Sequence, residues 1–129
     1  MKLYRTMQMD SADSLPLVGI RRGMLGVRPT DPANTIANRK FDVPAILDDD
    51  PVLPGQGKGL SVYSDAARTR PSKNEVTWFI ESSILQTYHL VFEVDENDPE
   101  HFCIAPAIPM TLKEYQTALG LTRIHWQRL

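Results

Sequence analysis

Three side chains carry most of the chemical potential of this 129-residue chain: Arg5, Ser61 and His101. An imidazole titrates near neutrality and can accept or deliver a proton, a serine hydroxyl can donate a hydrogen bond or be deprotonated by a base, and a guanidinium can pair with an anion. Each has a plainer reading. A lone histidine is more often packed or solvated than catalytic, and the same holds for His89 and His125. Arg5 beside Tyr4 reads as a surface charge unless an anion binds there. No Gly-x-Ser-x-Gly elbow surrounds Ser61, and the sequence places no aspartate to complete a triad. Cys103 lies two residues beyond His101, a spacing that allows a thiol–imidazole pair, although a buried, inert cysteine is the commoner outcome. No Cys and His set has metal-ligand spacing, so no metal site is expected. The run Gly55-Gln56-Gly57-Lys58-Gly59 is not a phosphate loop, because it lacks Ser or Thr after Gly-Lys and precedes a strand rather than a helix.

The elements that must hold these groups follow from residue periodicity. His101, Cys103 and Ala105 alternate with Phe102 and Ile104, which predicts a strand with the imidazole on one face and large apolar groups on the other. Pro106 and Pro109 end it, and Thr111 with Glu114 forms a capping box for a helix running to about Leu119 with Gly120 as its C′ residue. Residues 3–8 read as a first strand, with Leu3, Arg5 and Met7 on one face and Tyr4, Thr6 and Gln8 on the other. Leu60-Ser61-Val62-Tyr63 reads as a short strand placing Ser61 and Tyr63 on the face opposite the two aliphatic residues. Residues 88–94 form another strand, and the turn at residues 95–99 pairs it with the His101 strand as a hairpin.

Other segments are less determined. Residues 18–27 read as a short strand and loop interrupted by Gly19, Gly23 and Gly26. Residues 75–86 fit either a helix capped by Ser72 and Glu75 or a strand through Thr77-Trp78-Phe79-Ile80. Residues 31–57 carry several prolines and Asp48-Asp49-Asp50 but also Phe41, Val43, Ile46 and Leu47. That mixture predicts a long ordered loop, either a cover over a cleft or a surface excursion.

Length and composition bound the rest. The whole chain, residues 1–129, fits one domain. A formal charge of −2 argues against a sequence-independent nucleic-acid binder, whose affinity rests on clustered Lys and Arg. The single Cys103 excludes an intrachain disulfide and suits a reducing cytoplasm. The N-terminus lacks the apolar core of a cleavable signal peptide, and no apolar run approaches the ~20 residues that span a bilayer. Export would then need a dedicated machine, and no membrane partner is expected.

Taken in order, Leu3-Tyr4-Arg5, Gly59-Leu60-Ser61-Val62-Tyr63 and His101-Phe102-x-Ile104-x-Pro106-Ala107-x-Pro109-Met110 resemble the second exported effector toxin of the type VI secretion system and its relatives. The last motif is the specific one. The resemblance implies an α+β, ADP-ribosyltransferase-like fold: two small splayed β-sheets around an NAD cleft, with few short helices. It implies a cytotoxic, NAD-dependent ADP-ribosyltransferase acting on a cytoplasmic target after delivery by a secretion system, and neutralised by a cognate immunity protein. On this reading NAD is the co-substrate, His101 and Ser61 are catalytic, and Arg5, Tyr4, Ser61 and Tyr63 contact the dinucleotide. Leu60 stands where relatives can carry a hydroxyl residue. Whether Glu81, Glu93, Glu114 or none of them holds the ribose is left open. The alternative is a non-catalytic NAD- or protein-binding module on the same fold.

Overall fold

Alternating side chains make β1 (Lys2–Gln8) a strand with one face in the core, since Leu3 and Met7 are fully buried. In the computed structural model, which describes residues 1–30 and 41–129, β1 pairs antiparallel along its whole length with β4 (Glu75–Glu81), Leu3 facing Ile80 and Arg5 facing Trp78. The segment open to two readings is therefore a strand, followed by a 3₁₀ helix at Ser82–Tyr88. Strand alternation buries Trp78 and Ile80 together, and the Trp78 indole N–H donates to the Met7 carbonyl at 3.1 Å. Ser72 and Glu75 close a turn before the strand rather than cap a helix, the Ser72 N–H donating to the Glu75 carboxylate at 3.0 Å.

Between these strands lie β2 (Pro51–Val52) and β3 (Leu60–Tyr63); after them come β5 (Leu90–Asp95), β6 (Asp98–Pro106), β7 (Met110–Thr111), helix α1 (Leu112–Leu121) and β8 (Gln127–Arg128). The architecture is mixed α+β, a mostly antiparallel six-stranded sheet in the order β5-β6-β3-β1-β4-β8 with a separate β2-β7 ribbon. The expected hairpin is β5 with β6. One junction in the sheet is thin. β1 meets β3 only at Tyr4 opposite Tyr63, so the sheet consists of two three-stranded wings, β5-β6-β3 and β1-β4-β8, sharing a single residue pair.

Helix α1 closes the apolar side. The capping box is present, with the Thr111 hydroxyl accepting from the Glu114 N–H and the Glu114 carboxylate accepting from the Thr111 N–H. Two further helix-terminal donors, Leu112 and Lys113 N–H, reach the Asp50 and Asp48 carbonyls, which ties the helix start to the chain before β2. Leu112, Tyr115, Ala118 and Leu119 are buried against Leu60, Val62 and Ile104 in one core. Tyr115 carries the one polar atom this layer needs, accepting from the Leu60 N–H at 3.2 Å and donating to the Ile104 carbonyl. That bridge ties β3 and β6 to the helix. Gly59 is required beside it, because a Cβ there would lie 2.3 Å from the Ile104 carbonyl oxygen.

Two local expectations fail. The helix runs through Gly120 and ends at Thr122, whose hydroxyl bonds the Leu119 carbonyl at 2.6 Å and satisfies the terminus without a left-handed glycine. Residues 18–27 contain no strand beyond an isolated bridge between Val18 and Leu25; their backbone instead braces the end of β1, Gln8 N–H donating to the Gly23 carbonyl at 2.8 Å. Of the loop expected at residues 31–57, residues 31–40 lie outside the described residues. The remainder is ordered onto the domain, with Val43, Ala45 and Val52 buried.

Candidate active site

The register of β3 on β6 decides which side chains meet. Tyr63 lies opposite His101 and Ser61 opposite Cys103, and Glu93 of β5 lies opposite Cys103, so these groups share the face turned away from the core. Ser61 Oγ is 2.6 Å from His101 Nε2. On the other side of the ring, His101 Nδ1 is 2.9 Å from Asp95 Oδ2. Asp95 Oδ1 accepts from the Asn97 N–H at 2.9 Å, an Asx turn that fixes the carboxylate at the hairpin tip. The result is a continuous Ser61–His101–Asp95 chain.

Asp95 is the participant the sequence reading missed. A usable signal was present: if Leu90, Phe92 and Val94 form the apolar series of β5, then Glu93 and Asp95 belong to the opposite face, the one carrying His101. The hydrogen bond from His101, then that from Asn97, holds the Asp95 carboxyl below the usual carboxylate range, so it is ionised at neutral pH.

Tyr63 packs against the His101 ring, centroids 5.1 Å apart. The Arg68 guanidinium lies 5.1 Å from the Tyr63 centroid and ion-pairs with Asp98 and Glu100 on the hairpin. This clamp has a pH limit. The Arg68 hydrogen bond lowers Asp98 from 3.8 to about 2, so its stabilisation is complete above the unfolded value and is lost as pH falls through about 2. Amide protection factors at residues 95–100 should therefore fall on acidification from pH ~4 to ~2 before the β1–β4 pairing opens. Unchanged protection of this hairpin tip at pH 2 would contradict the clamp.

Two adjoining cavities border the chain of hydrogen bonds. One of about 640 Å³ is lined by residues 55–58 and 93–97 with His101 and Cys103; the other, about 550 Å³, is lined by Arg28, Phe41, Asp42, Ser61 and Tyr63 among others. They share Gly57, Lys58, His101 and Cys103, and both sizes fall in the ~300–1,000 Å³ range of small-molecule clefts. The Gly55–Gly59 segment is tied down by Glu93, whose carboxylate accepts from the Gly55 N–H at 2.6 Å. Lys58 lines both cavities and has no ion-pair partner among the described residues.

Arg5 is not a surface charge. Its Nη1 donates to the Ser61 carbonyl and its Nη2 to the Met24 carbonyl, each at 2.9 Å, while Nε is buried with no partner among the described residues. Burial lowers its pKa to about 10, which still leaves it cationic at neutral pH. It therefore braces the strand that carries Ser61, and it does not line either cavity. Tyr4 shares the register row of Tyr63 but packs against Phe79, centroids 6.1 Å apart, and is likewise absent from the lining.

Cys103 is buried and, through desolvation and then the nearby Glu93 and Asp95 charges, its thiol is pushed up to about 11; it stays protonated, and the imidazole is engaged by Ser61 and Asp95 instead. Leu60 is fully buried on the core face, so the cleft face loses no hydrogen bond through its being leucine. Of the three glutamates, Glu93 alone lines the cleft; Glu81 sits 3.8 Å from the N-terminal ammonium, and Glu114 belongs to the capping box. No group of three or more metal-ligating residues occurs among the described residues.

Comparison with protein-family models, with curated proteins and with solved structures finds no match to this chain.

Proposed function

We propose that the chain is a cytotoxic effector that transfers ADP-ribose from NAD to a cytoplasmic target. The observation that carries this reading is the Ser61–His101 contact of 2.6 Å in the lining of the second cavity. Two residues 40 positions apart, both singled out by the resemblance, meet there. The narrow β1–β3 junction, one register pair at Tyr4–Tyr63, is the feature that supports the finer reading of two small sheets around a cleft.

The residue set fits the co-substrate. NAD is a dianion at its pyrophosphate with two riboses and a flat, cationic nicotinamide ring, and the cleft offers the Lys58 ammonium, hydroxyl and carboxylate partners at Ser61 and Glu93, and the Tyr63 ring. Breaking the nicotinamide–ribose bond passes through an oxocarbenium-like state, so the protein has chiefly to orient the dinucleotide and complement its charges. In this assignment Tyr63 flanks the nicotinamide, Ser61 and Glu93 hold ribose hydroxyls, and His101 accepts the proton of the attacking nucleophile. Lys58 takes the pyrophosphate charge, because both Nη groups of Arg5 already hold carbonyls. Arg5 serves the dinucleotide by setting the position of Ser61.

A toxin of this kind endangers its producer, so a co-encoded immunity protein that covers the cleft is the expected partner. Expression of the chain alone in bacteria should arrest growth, and Ser61→Ala or His101→Ala should relieve the arrest at equal protein level. Calorimetry separates the alternative: dinucleotide binding without any release of nicotinamide supports a binding module. Harmless expression of soluble wild-type protein together with no binding removes both readings.

A further inference from the structure

We propose that Asp95 is a positioning residue that fixes the proton of His101 on Nδ1, leaving Nε2 as the bare, accepting nitrogen that faces the cleft at Ser61. The claim rests on the proposed activity only for its catalytic consequence; the proton's location stands by itself. An ionised carboxylate can only accept hydrogen bonds. Oδ1 of Asp95 already accepts from the Asn97 N–H at 2.9 Å, and Oδ2 lies 2.9 Å from His101 Nδ1, so that nitrogen must carry the hydrogen. In the neutral ring Nε2 is then the acceptor, and at 2.6 Å the donor facing it is the Ser61 hydroxyl. The imidazole is partly exposed and packs against the Tyr63 ring, and the two hydrogen bonds set its orientation. Asp95 therefore determines which nitrogen acts as the base.

The arrangement matches the orienting role of the aspartate in Ser-His-Asp sites of unrelated folds, here assembled on the face of a sheet instead of a strand-to-helix elbow. The backbone supplies the reason it forms. The Glu96-Asn97 turn and the register shift after Val94 fold the hairpin tip so that Asp95 lies beside His101 and Asp98 is free for Arg68.

Asp95→Asn isolates the effect. The Asn97 N–H needs an acceptor, so the amide oxygen of the variant stays on it and the amide NH₂ turns to His101 Nδ1. That nitrogen must then accept, the proton moves to Nε2, and the cleft loses the bare nitrogen that would accept the nucleophile's proton, while every heavy-atom position can be kept. The experiment is ¹⁵N imidazole NMR on wild type and Asp95→Asn, with His101→Ala to assign the His101 signals among the three histidines. The expected result is Nδ1–H in the wild type and Nε2–H in the variant, with unchanged melting temperature. Under the proposed activity, turnover of the variant falls on the order of 10²- to 10⁴-fold while the KM for NAD moves less than about threefold. An unchanged tautomer overturns the proposal, as does a moved proton with undiminished turnover. If wild type consumes no NAD, the activity reading fails, and the NMR result alone decides the role of Asp95.

Discussion

His101→Ala is expected to reduce nicotinamide release from NAD by on the order of 10²- to 10⁴-fold, the usual contribution of a positioned acid–base group. The side chain is part-exposed and makes its polar contacts with Ser61 and Asp95 outside the core, so the melting temperature should change little. Ser61→Ala should be less severe, because Asp95 still orients the ring when the serine hydroxyl is gone. The double variant is the sharper test. If the two residues act as one unit, the combined loss is close to that of His101→Ala alone, far short of the product of the single effects. Multiplicative losses in steady-state assays at saturating NAD would place the two residues in separate roles.

Arg5→Met is expected to be the most destabilising substitution at the site although it touches neither cavity. Removing the guanidinium leaves the Ser61 and Met24 carbonyls without their donor, each worth about 1–3 kcal/mol when buried. An opposing term exists. Burial lowers the Arg5 pKa to about 10, so the unfolded chain holds this proton more tightly; the charge therefore costs stability at neutral pH, a cost that fades only as pH rises above about 10. The carbonyl loss should win, because β1 and β3 share only the Tyr4–Tyr63 pair and the Arg5–Ser61 bond is a second tie across that junction. A fall in melting temperature of roughly 5–15 °C and a loss of turnover through displaced Ser61 should appear together. The milder Arg5→Lys change keeps a charge but only a single-point donor, so it can retain at most part of either property. An unaltered melting curve for Arg5→Met would show that the brace carries no weight.

Much of the frame was legible because local rules and burial agreed. The strand at Leu60–Tyr63, the β5–β6 hairpin and the Thr111–Glu114 capping box follow from alternation, a polar turn and a spacing of three. Residues 75–86 were open to two readings because Val76, Phe79, Ile80 and Ile84 satisfy a helical stripe as well as a strand; the long pairing with β1 selects the strand. Gly120 misled because a glycine near a helix end is a strong stop signal, whereas here the Thr122 hydroxyl satisfies the terminus and the glycine stays inside. His101 and Ser61 could be named from sequence, but their contact could not, since it depends on the pairing register of strands whose contacting residues are 40 positions apart. Asp95 depended on one register more. Arg5 was misjudged for a different reason: its partners are backbone carbonyls, which leave no trace in side-chain composition.

Mass spectrometry of a bacterial extract incubated with the purified protein and labelled NAD tests the central claim most directly. Free nicotinamide should accumulate and labelled ADP-ribose should become covalently attached to a protein or other macromolecule in the extract, and both should vanish with His101→Ala. Intact NAD after incubation with folded wild-type protein, or equal attachment with the His101→Ala variant, would contradict the account.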